Sequence, residues 1–388
     1  MNQRMWIKAG LLAASTMTIM AGAIVAPSLP RISEHFADEP NIGLLSRLII
    51  TMPALFIVFF SSLAGWSIDR FGRRIMLLGS LILYALAGTT GAYADNLYTI
   101  LAGRALLGIA VAGNMVTLTT LIGDYFTGHE RNRFIGFQGS FMAFGGVIFI
   151  LIAGWLADIS WEMPFWLYAL SLPICILAWK SIPEPEIKRR KALLLSNETK
   201  QFDIKTSKFI YLMGFTGMAL FYIIPAQLPF LLKQTQGVSN SMIGYAISVS
   251  TFSGALISLF YGSIRRRLSF QWIYAAAFSL FALGYLVIAS AGSFYTILFG
   301  LLIAGAGTGL LMPNANLWMM SIAPEVSRGR MIGNLTMAVF LGQFISPIMV
   351  HPLVTRGSVN DAFYYPGLLM AFIAFAFAAD QLLRGKTK

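Results

Sequence analysis

The sequence predicts an all-α integral membrane protein. It is read as about twelve transmembrane helices in two pseudo-symmetric six-helix bundles, with the N- and C-termini both cytoplasmic. Three observations predict it. Of 388 residues, 57% are hydrophobic and only 11% charged, less than half the charge of an ordinary soluble chain, which is about 25%. Apolar stretches of spanning length recur from end to end. The chain also repeats itself at a fixed offset. So little charge cannot cover a water-soluble surface, which excludes a soluble enzyme and a disordered scaffold. The one cysteine, Cys175, cannot form an internal bridge, which excludes a disulfide framework. The net charge of +12 sits in short runs between apolar blocks. That is the pattern of membrane loops, not of a nucleic-acid face.

The expected spans lie near 7–30, 45–67, 75–94, 97–123, 134–157, 164–182, 208–232, 241–262, 270–291, 295–320, 331–354 and 363–384. At about 1.5 Å per residue each crosses a hydrocarbon core of roughly 30 Å. Lipid offers the backbone no hydrogen bonds, so these segments are helices. The first resembles a signal peptide, with Arg4 and Lys8 ahead of an apolar run and small residues from Ala23 to Ala26. Its length, and the eleven spans after it, favour a retained helix. With both termini cytoplasmic, 23 of the 28 Lys and Arg fall on that side. Arg31, Arg47, Lys233 and Arg356 fall on the other, and Arg104 lies inside a span. That asymmetry fixes the orientation and supports an even number of spans.

The repeat has an offset of 197 residues. Tyr98-Thr99-Ile100-Leu101 returns as Tyr295-Thr296-Ile297-Leu298, and Gly103 and Gly108 return as Gly300 and Gly305. Gly65 matches Gly262, Gly145 matches Gly342, and Arg131-x-Arg133-x-Ile135-Gly136 matches Arg328-x-Arg330-x-Ile332-Gly333. The expected domains are therefore residues 1–180 and 208–388, two bundles of equal orientation. Between them a polar linker, 181–207, carries Pro183, Pro185, the run Lys188-Arg189-Arg190-Lys191 and Glu198. It reads as a solvated connector that also meets lipid head groups. Parallel halves about an axis along the membrane normal are one of the transporter plans.

After the second span comes Gly65-Trp66-Ser67-Ile68-Asp69-Arg70-Phe71-Gly72-Arg73-Arg74. This resembles the signature loop of the major facilitator superfamily at every defining position and at the right place. With the repeat, the resemblance covers the whole chain, and its motifs are most similar to the drug:proton antiporter branch. It implies a secondary active transporter working by alternating access, in which this loop latches the halves when the protein is open outward. Physically, Gly65 and Gly72 permit close approach and a tight turn. Asp69 can face the positive end of a neighbouring helix, and Arg73 can reach Asp124 at the end of the fourth span. The alternative for Arg70, Arg73 and Arg74 is simple topological anchoring. The counterpart in the second half, Gly262 to Arg267, has lost the Asp.

Arg104 is the one charge within a span, about 10 Å from its outer end, and a charge there must face protein or water. It resembles the fourth-helix arginine of drug:proton antiporters, implicated there in proton coupling, with Gly108 following. The family's usual Gln is Leu107 here. Two other features depart from that branch. The fifth span, from Gly145 to Gly154, lacks the family's proline, and the first span has no carboxylate. All sixteen acids fall in loops or at span ends.

The resemblance places spans 1, 4, 7 and 10 around a central cavity, helped by 2, 5, 8 and 11. The expected substrate or proton-pathway residues are Arg104, Arg47, Thr18, Thr51, Phe141, Met218, Tyr222, Gln227, Tyr245, Asn314 and Gln343. The gating residues are Gly65, Asp69, Arg70, Gly72, Arg73, Arg74 and Asp124. Arg104 and Arg47 have no evident acid, so an anionic substrate would complete the site. The expected function is proton-linked efflux of drugs or metabolites across a bacterial inner membrane. The alternative is import or facilitated passage of an anionic metabolite or carboxylate siderophore. An integral membrane enzyme or a non-transporting sensor is a rival from another class. The scattered His35, His129 and His351 offer no metal spacing. Gly385-Lys386-Thr387 lacks the rest of a phosphate loop, and Gly305-x-Gly307-x-Gly309 misses the dinucleotide spacing. No cofactor is expected beyond a coupling ion, H+. The expected partners are a small-molecule substrate and the lipid bilayer, with no nucleic acid and the chain acting as a monomer.

Overall fold

The computed structural model describes residues 3–185, 204–324 and 327–385. The linker run 188–191, Glu198, the His129 side chain and residues 386–388 lie outside them. The described residues form twelve spans long and apolar enough to cross a membrane. The first half contains α1 (Gln3–Ala23), α2 (Leu29–His35), α3 (Ile42–Phe71), α4 (Arg73–Gly88), α5 (Leu97–Tyr125), α6 (Gly128–Ile159) and α7 (Ser171–Ser181). The second contains α8 (Ile204–Phe221), α9 (Ile223–Gln236), α10 (Asn240–Arg265), α11 (Phe270–Ala289), α12 (Phe294–Ile322), α13 (Arg328–Arg356) and α14 (Asp361–Gly385). Most helices run a turn or so past the apolar cores, because their polar ends stay helical in the interfacial region.

Fourteen helices make twelve spans because the first span of each half is broken. A 3-10 turn at Ala26–Ser28, with Pro27 and Pro30 beside it, separates α1 from α2. Tyr222 separates α8 from α9, with Pro225 just beyond. Proline withholds an N–H and disfavours helix in the residue before it. Caps set other ends. Asn96 accepts the Thr99 N–H at 2.8 Å and starts α5, while Ser293, exactly one repeat later, accepts the Thr296 N–H and starts α12.

Packing follows the repeat. In the first half α3 lies on α5, α5 on α4, and α6 on α1. In the second, α10 lies on α12, α12 on α11, and α13 on α8. The halves meet along two seams, α6 with α10 and α3 with α13. We call the face bearing both chain ends the terminus face.

Polar bonds between the halves lie toward the opposite face. Ser248 Oγ donates to the Val147 carbonyl at 3.3 Å, and Phe144 still touches Phe252 across the seam, with centroids 6.5 Å apart. Nearer the terminus face, Gly136 and Gly139 of α6 have no described atom within 4 Å of an added Cβ, whereas a Cβ on Gly154 at the other end would lie 2.9 Å from the Asn240 carbonyl oxygen of α10. The halves are therefore closed at the opposite face and parted at the terminus face.

Candidate functional site

Arg104 is wholly buried in α5. Its Nε donates to the Ile49 carbonyl of α3 at 2.8 Å, and its Nη2 donates to the Ala21 carbonyl of α1. The Ala21 carbonyl is near the broken end of α1, where the helix stops supplying acceptors' partners. The guanidinium also sits 5.1 Å from the Tyr168 ring centroid, and Tyr168 Oη donates to the same Ala21 carbonyl. Two carbonyl dipoles and an aromatic face thus take the place of a counter-ion. Nη1 has no partner among the described residues.

The next residue, Gly22, is where the second half rests. A side chain there would run into Tyr222 Oη, and Gln343 Nε2 would lie 3.5 Å away. The expected residues Tyr222 and Gln343 therefore meet, from α13 and from the break between α8 and α9, over the end of α1. Closer to the opposite face, Arg47 Nε donates to Gln227 Oε1 across the halves at 2.7 Å. Arg47 Nη1 donates to the Gly43 carbonyl, and its guanidinium lies 4.0 Å from the Phe230 ring centroid. These contacts form a closed ceiling over the parted halves.

The other expected residues are dispersed. Asn314 is held within the second half, accepting from Tyr261 Oη and donating to the Phe270 carbonyl, each at 3.0 Å. Its amide is spent on packing α12 against α10 and α11. Thr51 is buried, with no partner for its Oγ1 among the described residues. Thr18 and Met218 are half-buried, and Tyr245 is exposed on α10.

At the terminus face, Arg73 Nε meets Asp124 Oδ2 at 3.3 Å and Asp69 at 3.8 Å. Asp69 does not face a helix end here: its side chain is 79% exposed. Sequence reasoning missed Glu184. Its carboxylate accepts the backbone N–H groups of Arg73 and Arg74, both at 2.7 Å, and so caps α4. Tyr125 Oη and Arg74 hold the chain before it, through the Pro183 and Trp179 carbonyls. Gly72 makes this possible with φ +92°, and a Cβ there would lie 3.1 Å from Glu184 Oε1. Removing the cap with Glu184→Ala should cost about 1 kcal/mol. It should show as a lowered unfolding midpoint in detergent, and Glu184→Asp should recover only part of it. Glu130 was also missed. It pairs with Lys8 and Arg4 at 3.0 Å each. The Lys8 hydrogen bond, helped by the Arg4 charge, holds its carboxyl below the usual carboxylate range.

Two similar halves, sealed at one face and parted at the other, with an embedded cation at the seal, define a membrane transporter of the rocking-bundle kind. The sequence pattern of the Major Facilitator Superfamily matches residues 11–230 and again 209–383. The chain belongs to that superfamily. It is 26% identical to the class H tetracycline resistance protein of Pasteurella multocida, over 92% of this chain and 90% of that one. It is also 26% identical to the class B tetracycline resistance protein of Escherichia coli, over 76% and 75%. Among solved structures, a D-xylose-proton symporter superposes with a TM-score of 0.76 at 17% identity, covering 97% and 98% of the two chains. A bacterial homolog of the human lysosomal transporter Spinster, in an inward-facing and occupied conformation, gives 0.77 at 14%, covering 100% and 98%.

Proposed function

We propose that this chain is a proton-linked exporter of amphipathic organic anions in a bacterial inner membrane, acting as a monomer with its terminus face in the cytoplasm. The observation that carries export is the likeness, over nine-tenths of both chains, to a tetracycline resistance protein. The 23-to-4 division of Lys and Arg supports the orientation, and with it the parted face is the loading side. Three features support the cargo class. Arg104 keeps one buried donor unpaired. The terminus-face mouth has two clefts with a net positive lining, one of about 490 Å³ lined by Lys8, Arg133 and the Glu130 that pairs with Lys8, and one of about 430 Å³ lined by Lys208 and Arg330. The exposed Phe137, Phe141 and Phe144 offer the apolar wall that an amphipathic cargo needs.

The test is a pH-jump transport assay in proteoliposomes with matched anionic and cationic amphiphiles. Proton-driven movement of the anions, with the cations left behind, is the expected result. Equal movement of cationic dyes would overturn the cargo class, and transport indifferent to the pH gradient would overturn the coupling.

A further inference from the structure

The signature loop is preceded by Gly65-Trp66-Ser67-Ile68-Asp69 at the end of α3. The end of α6 reads Gly154-Trp155-Leu156-Ala157-Asp158. Both are Gly-Trp-x-x-Asp, and both close the second span of a three-span set, spans 1–3 and 4–6. Such sets are inverted repeats nested within each half of this fold, so the two copies sit at opposite faces of the membrane.

Their surroundings differ as the two positions of a switch would. At the α6 copy, Asp158 accepts the N–H groups of Asn240 at 2.7 Å and Ser241 at 3.1 Å. These are the first two residues of α10, in the other half, so a carboxylate docks on the positive end of a helix. Asn240 Nδ2 returns a bond to the Ala157 carbonyl at 2.9 Å. Arg31 of α2 donates to the Ala157 and Asp158 carbonyls and steadies the end of α6. One turn back the helices touch backbone to backbone: a Cβ on Gly154 would lie 2.9 Å from the Asn240 carbonyl oxygen and 3.1 Å from Gly244 Cα. At the α3 copy nothing among the described residues is docked. Gly65 has no atom within 4 Å of an added Cβ, and Asp69 is exposed. The helix running along α3 in the other half is α13, whose first turn holds no acid and whose Ser327 makes no side-chain cap.

We infer that Asp158 is a positioning residue of the transport cycle, the latch that holds the face opposite the termini closed. It alternates with Asp69, so that docking of one accompanies release of the other. Asp158 touches no cargo and acts through α10. The inference rests on the alternating-access reading.

The test uses the full-length chain in nanodiscs with Cys175→Ser. Spin-label pairs report each face: Asp95→Cys with Gly292→Cys at the opposite face, and Thr127→Cys with Arg267→Cys at the terminus face. These loop sites lie outside both latches. Asp158→Asn is expected to raise the open-to-closed ratio at the opposite face at least tenfold and to lengthen the 95–292 distance. Asp69→Asn should shift the ratio the other way, and the double variant should return toward wild type. Gly154→Leu, which keeps the carboxylate but blocks the approach, should open the same face if Asp158→Asn folds poorly. An unchanged 95–292 distribution in both Asp158→Asn and Gly154→Leu, in a protein whose wild type still switches with pH, overturns the latch alone. A wild type whose two faces never exchange overturns both the latch and the alternating-access reading.

Discussion

Replacing Arg104 with alanine should abolish transport, and replacing it with lysine should not restore it. The guanidinium bridges the Ile49 carbonyl of α3 and the Ala21 carbonyl of α1 while lying against Tyr168. Alanine leaves both carbonyls buried and without that donor, at about 1–3 kcal/mol each. It also frees the end of α1 on which Tyr222 and Gln343 rest. Lysine keeps the charge but is a single point donor. It cannot span two carbonyls as a planar fork does, and it loses the ring contact. The expected result is a fall of at least tenfold in initial transport rate for both variants, with lysine retaining more folded protein than alanine. Rates in inverted vesicles, scaled to folded protein from gel filtration, check this. A lysine variant keeping more than half the rate would show that charge alone is required.

Arg104 also shows how far the sequence could be read. That it is exceptional was legible, because a lone charge in a span stands out against apolar neighbours. What completes it was not. The sequence offered no acid, so an anionic cargo stood in for the missing partner. The fold also supplies the Ala21 carbonyl near the break after α1 and the Ile49 carbonyl, four residues ahead of Pro53, which has no N–H to give it, and neither acceptor is read from its own residue's identity. The same reason hid Glu184 and Asp158, whose partners are backbone N–H groups at helix starts. The twelve spans were legible because lipid imposes length and apolarity on each one. Asn314 looked like a cavity residue on polarity alone, but polarity does not say which face of α12 it occupies. Asp158 did carry a signal, the second Gly-Trp-x-x-Asp, visible only when the chain is compared with itself for inverted rather than parallel repeats.

The parallel repeat makes its own prediction, which separates packing from chemistry. A Cβ on Gly108 would meet the Pro53 carbonyl, with Pro53 Cα at 2.9 Å. A Cβ on Gly305 would meet the Ser250 carbonyl, with Ser250 Cα at 3.0 Å. Each pair is displaced from the other by the same 197 residues, so α3 against α5 and α10 against α12 are one contact used twice. Because the obstacle is backbone, no rotamer change relieves it and the helices must part. Gly108→Val and Gly305→Val should each destabilise by about 1–3 kcal/mol or more, by similar amounts, as read from unfolding midpoints in one detergent. Gly65→Ala should leave stability unchanged, since nothing lies within 4 Å, while still slowing the cycle if Gly65 packs when the other face closes. Markedly unequal defects at 108 and 305 would deny the shared contact. Charges are among the positions that break the repeat: Arg104 corresponds to Leu301 in the register, Asp69 to Arg266, and Glu130 to Ser327. The halves have kept the glycines that fit helix to helix and lost the charges that would make the two halves act alike. A rocking bundle needs matched halves to move and unmatched ones to give the cargo a binding side.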